Sequence, residues 1–318
     1  MEKYDLIIIG GGPAGLTSAI YAGRRELKTL VLTMNIGGQM NLTHHIENYP
    51  GVDMSDGADL SMKMMEQAKK FGAKVELNHE VLNISKQDED YLVKTTSGEY
   101  LAQSVVLAFG KTPRKLDIEG ADRFLGKGLS YCATCDGPFF RGKTIAVVGG
   151  GNSALGGALY LADLGQKVYL IHRRDAFRGE EVLVEKIKAK ENIEMVLNSV
   201  PSALEGSDVL EKIKVKDVNT GAEREIVTDG VFIEIGYEVK ADFLKEIVKL
   251  DPSNQIIIDQ DCRTSEEGIF AAGDLTQIPY KQIAISVGQG AVAALSAYDY
   301  IQKKSGKPTV RVDWGEKK

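Results

Sequence analysis

Asp5-Leu6-Ile7-Ile8-Ile9-Gly10-Gly11-Gly12-Pro13-Ala14-Gly15 carries a short aliphatic run straight into a glycine-rich turn. A helical pattern follows at Leu16, Ala19, Ile20 and Ala22, and then a second aliphatic run, Thr29-Leu30-Val31-Leu32. The same order returns 139 residues later, counted from Gly10 to Gly149. Thr144 to Val148 enter Gly149-Gly150-Gly151-Asn152-Ser153-Ala154, followed by Leu155, Ala158, Leu159 and Leu161 and then Val168-Tyr169-Leu170-Ile171. Even Ala19-Ile20-Tyr21 falls on Ala158-Leu159-Tyr160. Strand, glycine turn, helix and strand met twice predict an α/β chain with two Rossmann-like nucleotide-binding units. In each, the first glycine allows the tight turn and the second clears room for a diphosphate. The third position is small so that the helix can approach the sheet. Gly10, Gly12, Pro13, Ala14 and Gly15 are the first candidate cradle; Gly149, Gly151, Asn152, Ser153 and Ala154 are the second. Backbone N–H groups at each helix start would face the diphosphate.

The end of the second strand in such a unit reports the nucleotide, an acid for a ribose 2′-hydroxyl and basic residues for a 2′-phosphate. The second unit ends in His172-Arg173-Arg174, with Arg178 one helical turn beyond. Guanidiniums there suit an extra phosphate, which favours NADPH over NADH, while the plainer reading is a solvated basic turn. In the first unit Thr33 stands where an acid is expected, followed by Met34-Asn35-Ile36-Gly37-Gly38-Gln39. A hydroxyl and backbone amides can bind an adenosine ribose, but this pattern alone does not name the nucleotide.

The chain has 318 residues with 39 basic and 45 acidic side chains, 43% hydrophobic and 26% charged, the composition of a folded globular protein. At about 150 residues per domain the length suggests two domains. No apolar run approaches the roughly 18 residues of a membrane helix, and no basic leader opens the sequence, so export is not expected. A net charge of −6 disfavours nucleic acid as a partner. Of three cysteines, two form Cys132-Ala133-Thr134-Cys135 within Ser130 to Phe140. Such a pair closes a small ring and shuttles between dithiol and disulfide. The competing reading, half a zinc site, needs two further ligands. Cys262 stands alone and the histidines (His44, His45, His79, His172) form no ligand pair, so no metal is expected. Asp136 can give a proton to a leaving thiolate or cap the turn into Gly137-Pro138, and spacing does not choose between them. Cys262 reads as a loop or strand-end residue and His44-His45 as a surface loop.

With two nucleotide folds and Cys-Ala-Thr-Cys-Asp-Gly at the head of the second, the sequence closely resembles the low-molecular-weight thioredoxin reductases. The resemblance runs from Tyr4 to about Ile301 and also rests on Glu47-Asn48-Tyr49-Pro50-Gly51 and Ala271-Ala272-Gly273-Asp274. It implies FAD in the first unit, with Thr33, Gly38, Gln39, Asn48, Val81 and Gly110 lining it. Gly273-Asp274 would meet the ribitol, and Lys281-Gln282-Ile283-Ala284 would present a helix start to the flavin. Ile235 and Gly236 would join the NADPH site. The resemblance further implies a discontinuous FAD domain, residues 1–113 and 246–318, around an inserted NADPH domain, 114–245. Lys111 to Arg114 and Tyr237 to Lys240 would connect them. Electrons would pass from NADPH to FAD, to the Cys132–Cys135 disulfide and on to thioredoxin. Cys135 would face the flavin, Cys132 would attack the partner and Asp136 would act as general acid, with one domain rotating between half-reactions. A cytoplasmic homodimer is implied as well. Competing readings are a reductase for a glutaredoxin-like protein or a peroxiredoxin, a dithiol oxidase, or a non-catalytic flavin redox sensor.

One departure from the family is Gly156-Gly157, where an acidic pair is often found. Each glycine inside a helix costs about 1 kcal/mol relative to alanine. Either close packing against the sheet or an altered contact at the nicotinamide end would account for it. The tail Lys303 to Lys318 is given no role.

Overall fold

Leu6, Ile7, Ile8 and Ile9 are all buried, as a central parallel strand packed on both faces requires. They form the centre of β1 (Lys3–Gly11) in the computed structural model, which describes residues 2–42 and 46–308. His44-His45 and Trp314 lie outside the described residues. After β1 come α1 (Pro13–Arg24), β2 (Thr29–Ile36), α2 (Gly57–Lys70), β3 (Lys74–Leu77), β4 (Val81–Gln87), β5 (Asp90–Thr95), β6 (Glu99–Leu107) and β7 (Thr112–Pro113). Next are α3 (Ala121–Phe124), β8 (Leu129–Ser130), α4 (Ala133–Asp136), β9 (Thr144–Gly149), α5 (Asn152–Leu164), β10 (Lys167–Ile171), α6 (Glu181–Ala189) and β11 (Ile193–Val196). The chain then runs through β12 (Ser199–Glu205), β13 (Lys212–Asp217), β14 (Glu223–Val227), β15 (Gly230–Glu234) and β16 (Tyr237–Glu238). It closes with β17 (Ile269–Ala271) and α7 (Ile283–Lys304).

Contacts divide the chain into two units, Met1–Thr112 with Val239–Lys318, and Pro113–Glu238. The segment Val239 to Lys245, expected in the inserted domain, therefore belongs to the outer one. Val239, Ala241 and Leu244 are buried in the same cluster as Ile7, Leu30 and Leu107, and that apolar burial places the boundary earlier than 245. The two crossings, β7 and β16, pair with each other as a two-stranded sheet.

In the first unit the order is β3-β2-β1-β6, parallel throughout. The far edge of β6 is shared: β17 pairs with it in parallel at Val105 to Leu107, and the antiparallel β5 with β4 at its other half. The second unit repeats the plan as β11-β10-β9-β15-β8, all parallel, beside an antiparallel β12-β13-β14 sheet. In both units the glycine turn leaves a strand flanked by parallel partners on each side, the switch point where α/β folds place their ligands.

The third cradle position shows how closely helix and strand meet. A Cβ on Gly15 would stand 1.9 Å from the Gly10 carbonyl oxygen, so only glycine fits. The equivalent Ala154 is fully buried, and its methyl lies where a side chain on Gly149 (φ +153°) would collide. Helix α7 crosses α1 just as closely, since a Cβ on Gly290 would sit 2.3 Å from the Ala14 carbonyl. The Ser18 hydroxyl joins the two helices, reaching the Ala14 and Gly290 carbonyls at 2.9 and 2.8 Å. Gly12, by contrast, has only the Gly37 oxygen at 3.9 Å. Gly15→Ala should therefore lower the unfolding free energy in urea by about 1–3 kcal/mol, and Gly12→Ala by less than about 1 kcal/mol.

Candidate active site

Strand β8 delivers Ser130 to the start of a single helical turn, α4, that carries the cysteine motif. Cys132 is the residue before that turn, and its Sγ accepts the Cys135 N–H at 3.1 Å. The two sulfurs form a disulfide with Cα atoms 5.3 Å apart, and one turn of helix suffices to bring them together. Once reduced, a thiolate at Cys132 keeps that N–H donor, and hydrogen bonding to the charged form favours it. The Thr134 hydroxyl lies 3.5 Å from the same sulfur. Cys132 is half-buried and Cys135 exposed.

Ser130 ties this motif together. Its hydroxyl donates to Asp136 Oδ2 at 2.6 Å and accepts the Cys132 N–H at 3.0 Å. The Asp136 carboxylate does not cap the turn into Gly137-Pro138; it is held instead beside the cysteines. Ser130 has no role in the sequence motif as read from spacing; its signal there is a hydroxyl two residues before the first cysteine. Cys262 is buried, and desolvation first, then Asp259 and Asp261, push its thiol up to about 12. Such a thiol is inert. Among the described residues no group of three or more His, Cys, Asp and Glu is placed to hold a metal ion.

In the same unit the glycine turn between β9 and α5 is open. Gly151, Asn152 and Ser153 are exposed, and a Cβ on Gly151 would meet nothing within 4 Å, which leaves the space a diphosphate needs. Two residues expected at the nucleotide, His172 and Asn152, also have side chains bonded to the protein. His172 packs its ring on Gly150, where a Cβ would lie 2.2 Å from it. The ring stacks on Phe177 with centroids 5.4 Å apart, and Nε2 pairs with the Ala176 carbonyl at 3.1 Å. A carbonyl can only accept, so Nε2 carries the proton. Burial first, then the charges of Arg174, Arg173 and Arg178, hold the His172 pKa below the ordinary value, while the Ala176 contact opposes them. Arg174 is half-buried, and Arg173 and Arg178 are exposed. Arg178 is anchored by its own N–H to the Gly150 carbonyl at 2.7 Å. Asn152 spends both ends of its amide on Glu180, at 2.9 and 2.7 Å, pinning the start of α6. Ile235 and Gly236 (φ +99°) are exposed just past β15, and the Gly236 carbonyl accepts the Arg114 N–H at 2.9 Å.

The first unit holds the other cradle. Gly12 and Gly38 (φ +54°) face each other, a Cβ on Gly38 standing 4.0 Å from the Gly12 Cα. Gly110 (φ +69°) has nothing within 4 Å of its missing Cβ. The Thr33 hydroxyl, expected at a ribose, accepts the Gly11 N–H at 2.9 Å and donates to the Asn35 carbonyl at 2.7 Å. Thr33 is buried and fixes the glycine turn. Gln39 donates to the Lys111 carbonyl at 3.3 Å, and Asn48 to Gln282 Oε1 at 3.2 Å. Ile283 and Ala284 open α7. Val81 opens β4 opposite Thr95 and packs on the same core cluster as Phe109.

Gly273 (φ +89°) gives its N–H to Gln289 Oε1 at 2.8 Å. That bond leaves Gln289 Nε2 as a buried donor without an acceptor among the described residues. Asp274 is half-buried; desolvation raises its carboxyl, opposed by Lys281, Lys111 and the Ser286 hydroxyl at 3.4 Å. Lys281 donates to the Thr276 carbonyl at 2.6 Å. Burial and then Lys111 bring its ammonium down to about 8. Lys111 was named in the sequence only as part of a connector. The facing bare glycines, the unspent Gln289 donor and the Asp274–Lys281–Lys111 charges fit an FAD whose diphosphate and polar chain need donors and an uncrowded backbone.

Residues 4–291 match the pyridine nucleotide-disulphide oxidoreductase family. A thioredoxin reductase of Treponema pallidum (strain Nichols) is 41% identical over 300 residues, covering 94% of this chain and 97% of that one. The crystal structure of Lactococcus lactis thioredoxin reductase in its FR conformation is 40% identical with a TM-score of 0.87, over 94% of this chain and 99% of that chain. T. acidophilum thioredoxin reductase is 35% identical with a TM-score of 0.84, over 94% and 98%. A disulfide beside one nucleotide cradle, with a second cradle in the other unit, is what that family's name describes, and the chain belongs to the pyridine nucleotide-disulphide oxidoreductases.

Proposed function

We propose that the chain is a thioredoxin-disulfide reductase, taking two electrons from NADPH and delivering them through FAD and the Cys132–Cys135 pair to thioredoxin. The observation that carries this reading is a disulfide on a single helical turn in the same unit as a dinucleotide cradle, with Arg173 and Arg174 just past the end of β10 and the Arg178 backbone tied to Gly150 of the cradle. The arginines support NADPH as the reductant, because a planar guanidinium binds a 2′-phosphate in fork geometry. FAD, when bound, supplies the two-electron carrier between dinucleotide and disulfide.

The protein's own groups account for the thiol steps. The Cys132 thiolate, held by the Cys135 N–H, attacks one sulfur of the partner disulfide, forming a mixed disulfide and releasing a partner thiolate. Cys135 then attacks the Cys132 sulfur, which restores the Cys132–Cys135 disulfide and releases the second partner thiolate. Asp136, fixed through the Ser130 hydroxyl, is the group to protonate a departing thiolate. The two crossings at Thr112–Pro113 and Glu238–Val239 serve as the hinge on which one unit rotates between the flavin step and the partner step. A cytoplasmic homodimer is the working form we infer from the likeness to the family. Among the described residues no helix is long and apolar enough to cross a membrane.

NADPH oxidation by the flavin-loaded chain should accelerate on adding oxidised thioredoxin from the same organism; no acceleration with any of its thioredoxins would remove the assignment. Cys132→Ser or Cys135→Ser should abolish thioredoxin reduction while the protein stays yellow. Arg174→Ala should raise KM for NADPH about tenfold to a hundredfold, the weight of a charged hydrogen bond, and leave KM for NADH unchanged. Equal effects on both nucleotides would show that the guanidinium does not read the phosphate. A crosslink locking the two units in one orientation should stop multiple turnover, and full activity in the locked protein would end the hinge account.

A further inference from the structure

Glu234, the last residue of β15, has no part in the steps above. It pairs in register with Gly149, and a Cβ on Gly149 would meet its carbonyl oxygen at 2.2 Å. The side chain turns toward α5. A Cβ on Gly157 would sit 3.8 Å from Glu234 Oε1 and 3.4 Å from the Cβ of Ala133, the residue after Cys132. A Cβ on Gly156 would meet nothing within 4 Å. Close packing against the sheet therefore does not explain the glycine pair. The Glu234 carboxyl lies beside Gly157, where α5 and β15 meet Ala133 of the redox turn α4.

Topology says which end of a dinucleotide lies there. Strand β9 feeds the glycine turn, β10 on one side ends at the arginine cluster, and β15 on the other side ends at Glu234. A dinucleotide with its 2′-phosphate at β10 extends its nicotinamide toward β15. We propose that Glu234 faces the nicotinamide and that its carboxylate favours the oxidised, cationic ring over the reduced, neutral one. This rests on the reading of the inserted unit as an NADPH domain. When NADPH gives up its hydride, two electrons and a proton leave together and the ring becomes a pyridinium. A half-buried carboxylate attracts that new charge more strongly than it would in water.

The Glu234 carboxyl has no hydrogen-bond or ion-pair partner among the described residues, and burial alone pushes its pKa up to about 7. The strands and helices around it present Gly149, Gly157 and Ala133, which carry no charge. Tyr237 is the titratable neighbour, and its hydroxyl is pushed up to about 12 by burial and then by Glu234. The preference for the oxidised ring should accordingly grow as pH rises through about 7, where the carboxyl loses its proton.

The test is calorimetric binding to the FAD-loaded full chain of NADP+, of 1,4,5,6-tetrahydro-NADP, whose neutral ring cannot reduce the flavin, and of 2′,5′-ADP, which has no nicotinamide. Glu234→Gln should weaken NADP+ about tenfold and tetrahydro-NADP less than about twofold, with 2′,5′-ADP unchanged as proof of an intact cradle. In the unaltered chain the NADP+ preference should rise between about pH 6 and pH 8, and in Glu234→Gln it should be flat. Unchanged NADP+ binding, or equal losses for all three probes, would overturn the proposal. Failure of the unaltered chain to bind 2′,5′-ADP would overturn the NADPH reading itself, and the proposal with it.

Discussion

The backbone contact between Gly15 and the Gly10 carbonyl, with no room for a methyl group, is the constraint on which the first unit depends. Because α1 starts that close to the end of β1, its free N–H groups converge over Gly12, and the helix dipole points at the same place. Helix α7 then closes on α1 at Gly290, which brings Gln289 and Ser286 against Gly273-Asp274. The second unit solves the problem slightly differently, with an alanine in the third place and the ring of His172 wedged against Gly150. Two nucleotide sites thus arise from one local packing rule, applied twice.

Chemistry is concentrated where a short element meets one of these cradles. The redox turn α4 has only a few residues, too few for a helix to be stable alone. It is held by the disulfide, by the Ser130 hydroxyl bridging Asp136 and the Cys132 N–H, and by Ala133 buried near α5. Reduction removes one of those ties and leaves the others, so the thiols stay placed for the next exchange.

Much of this was legible in the sequence, because the deciding signals were backbone signals. A glycine that must be a glycine announces itself, and so does a cysteine pair spaced by one helical turn. Side chains near a cradle were harder to read. Thr33, His172 and Asn152 stand at positions where polar residues meet nucleotides, yet each spends its hydrogen bonds on the protein: Thr33 on Gly11 and Asn35, His172 on Ala176, Asn152 on Glu180. Sequence position says that a polar group is near the ligand, not which way its atoms point. The late domain boundary has a similar cause, since the apolar residues of Val239 to Leu244 can pack on either side of a crossing. Glu234 carries no signal in the sequence, because its place beside Gly157 is a relation visible only in three dimensions.

In the proposed electron path the cysteine pair takes electrons from the flavin and passes them to the partner. The most direct measurement is an anaerobic titration of the FAD-loaded chain with NADPH, followed by oxidised thioredoxin, with flavin absorbance and thioredoxin thiols read together. The prediction is that the chain takes up twice the reducing equivalents needed by its flavin alone, and that thioredoxin recovers them as thiols while the yellow colour returns. Cys135→Ser should take up only the flavin's share and yield no thioredoxin thiols. Uptake limited to the flavin in the unaltered chain, or thioredoxin thiols appearing in Cys135→Ser, would contradict it.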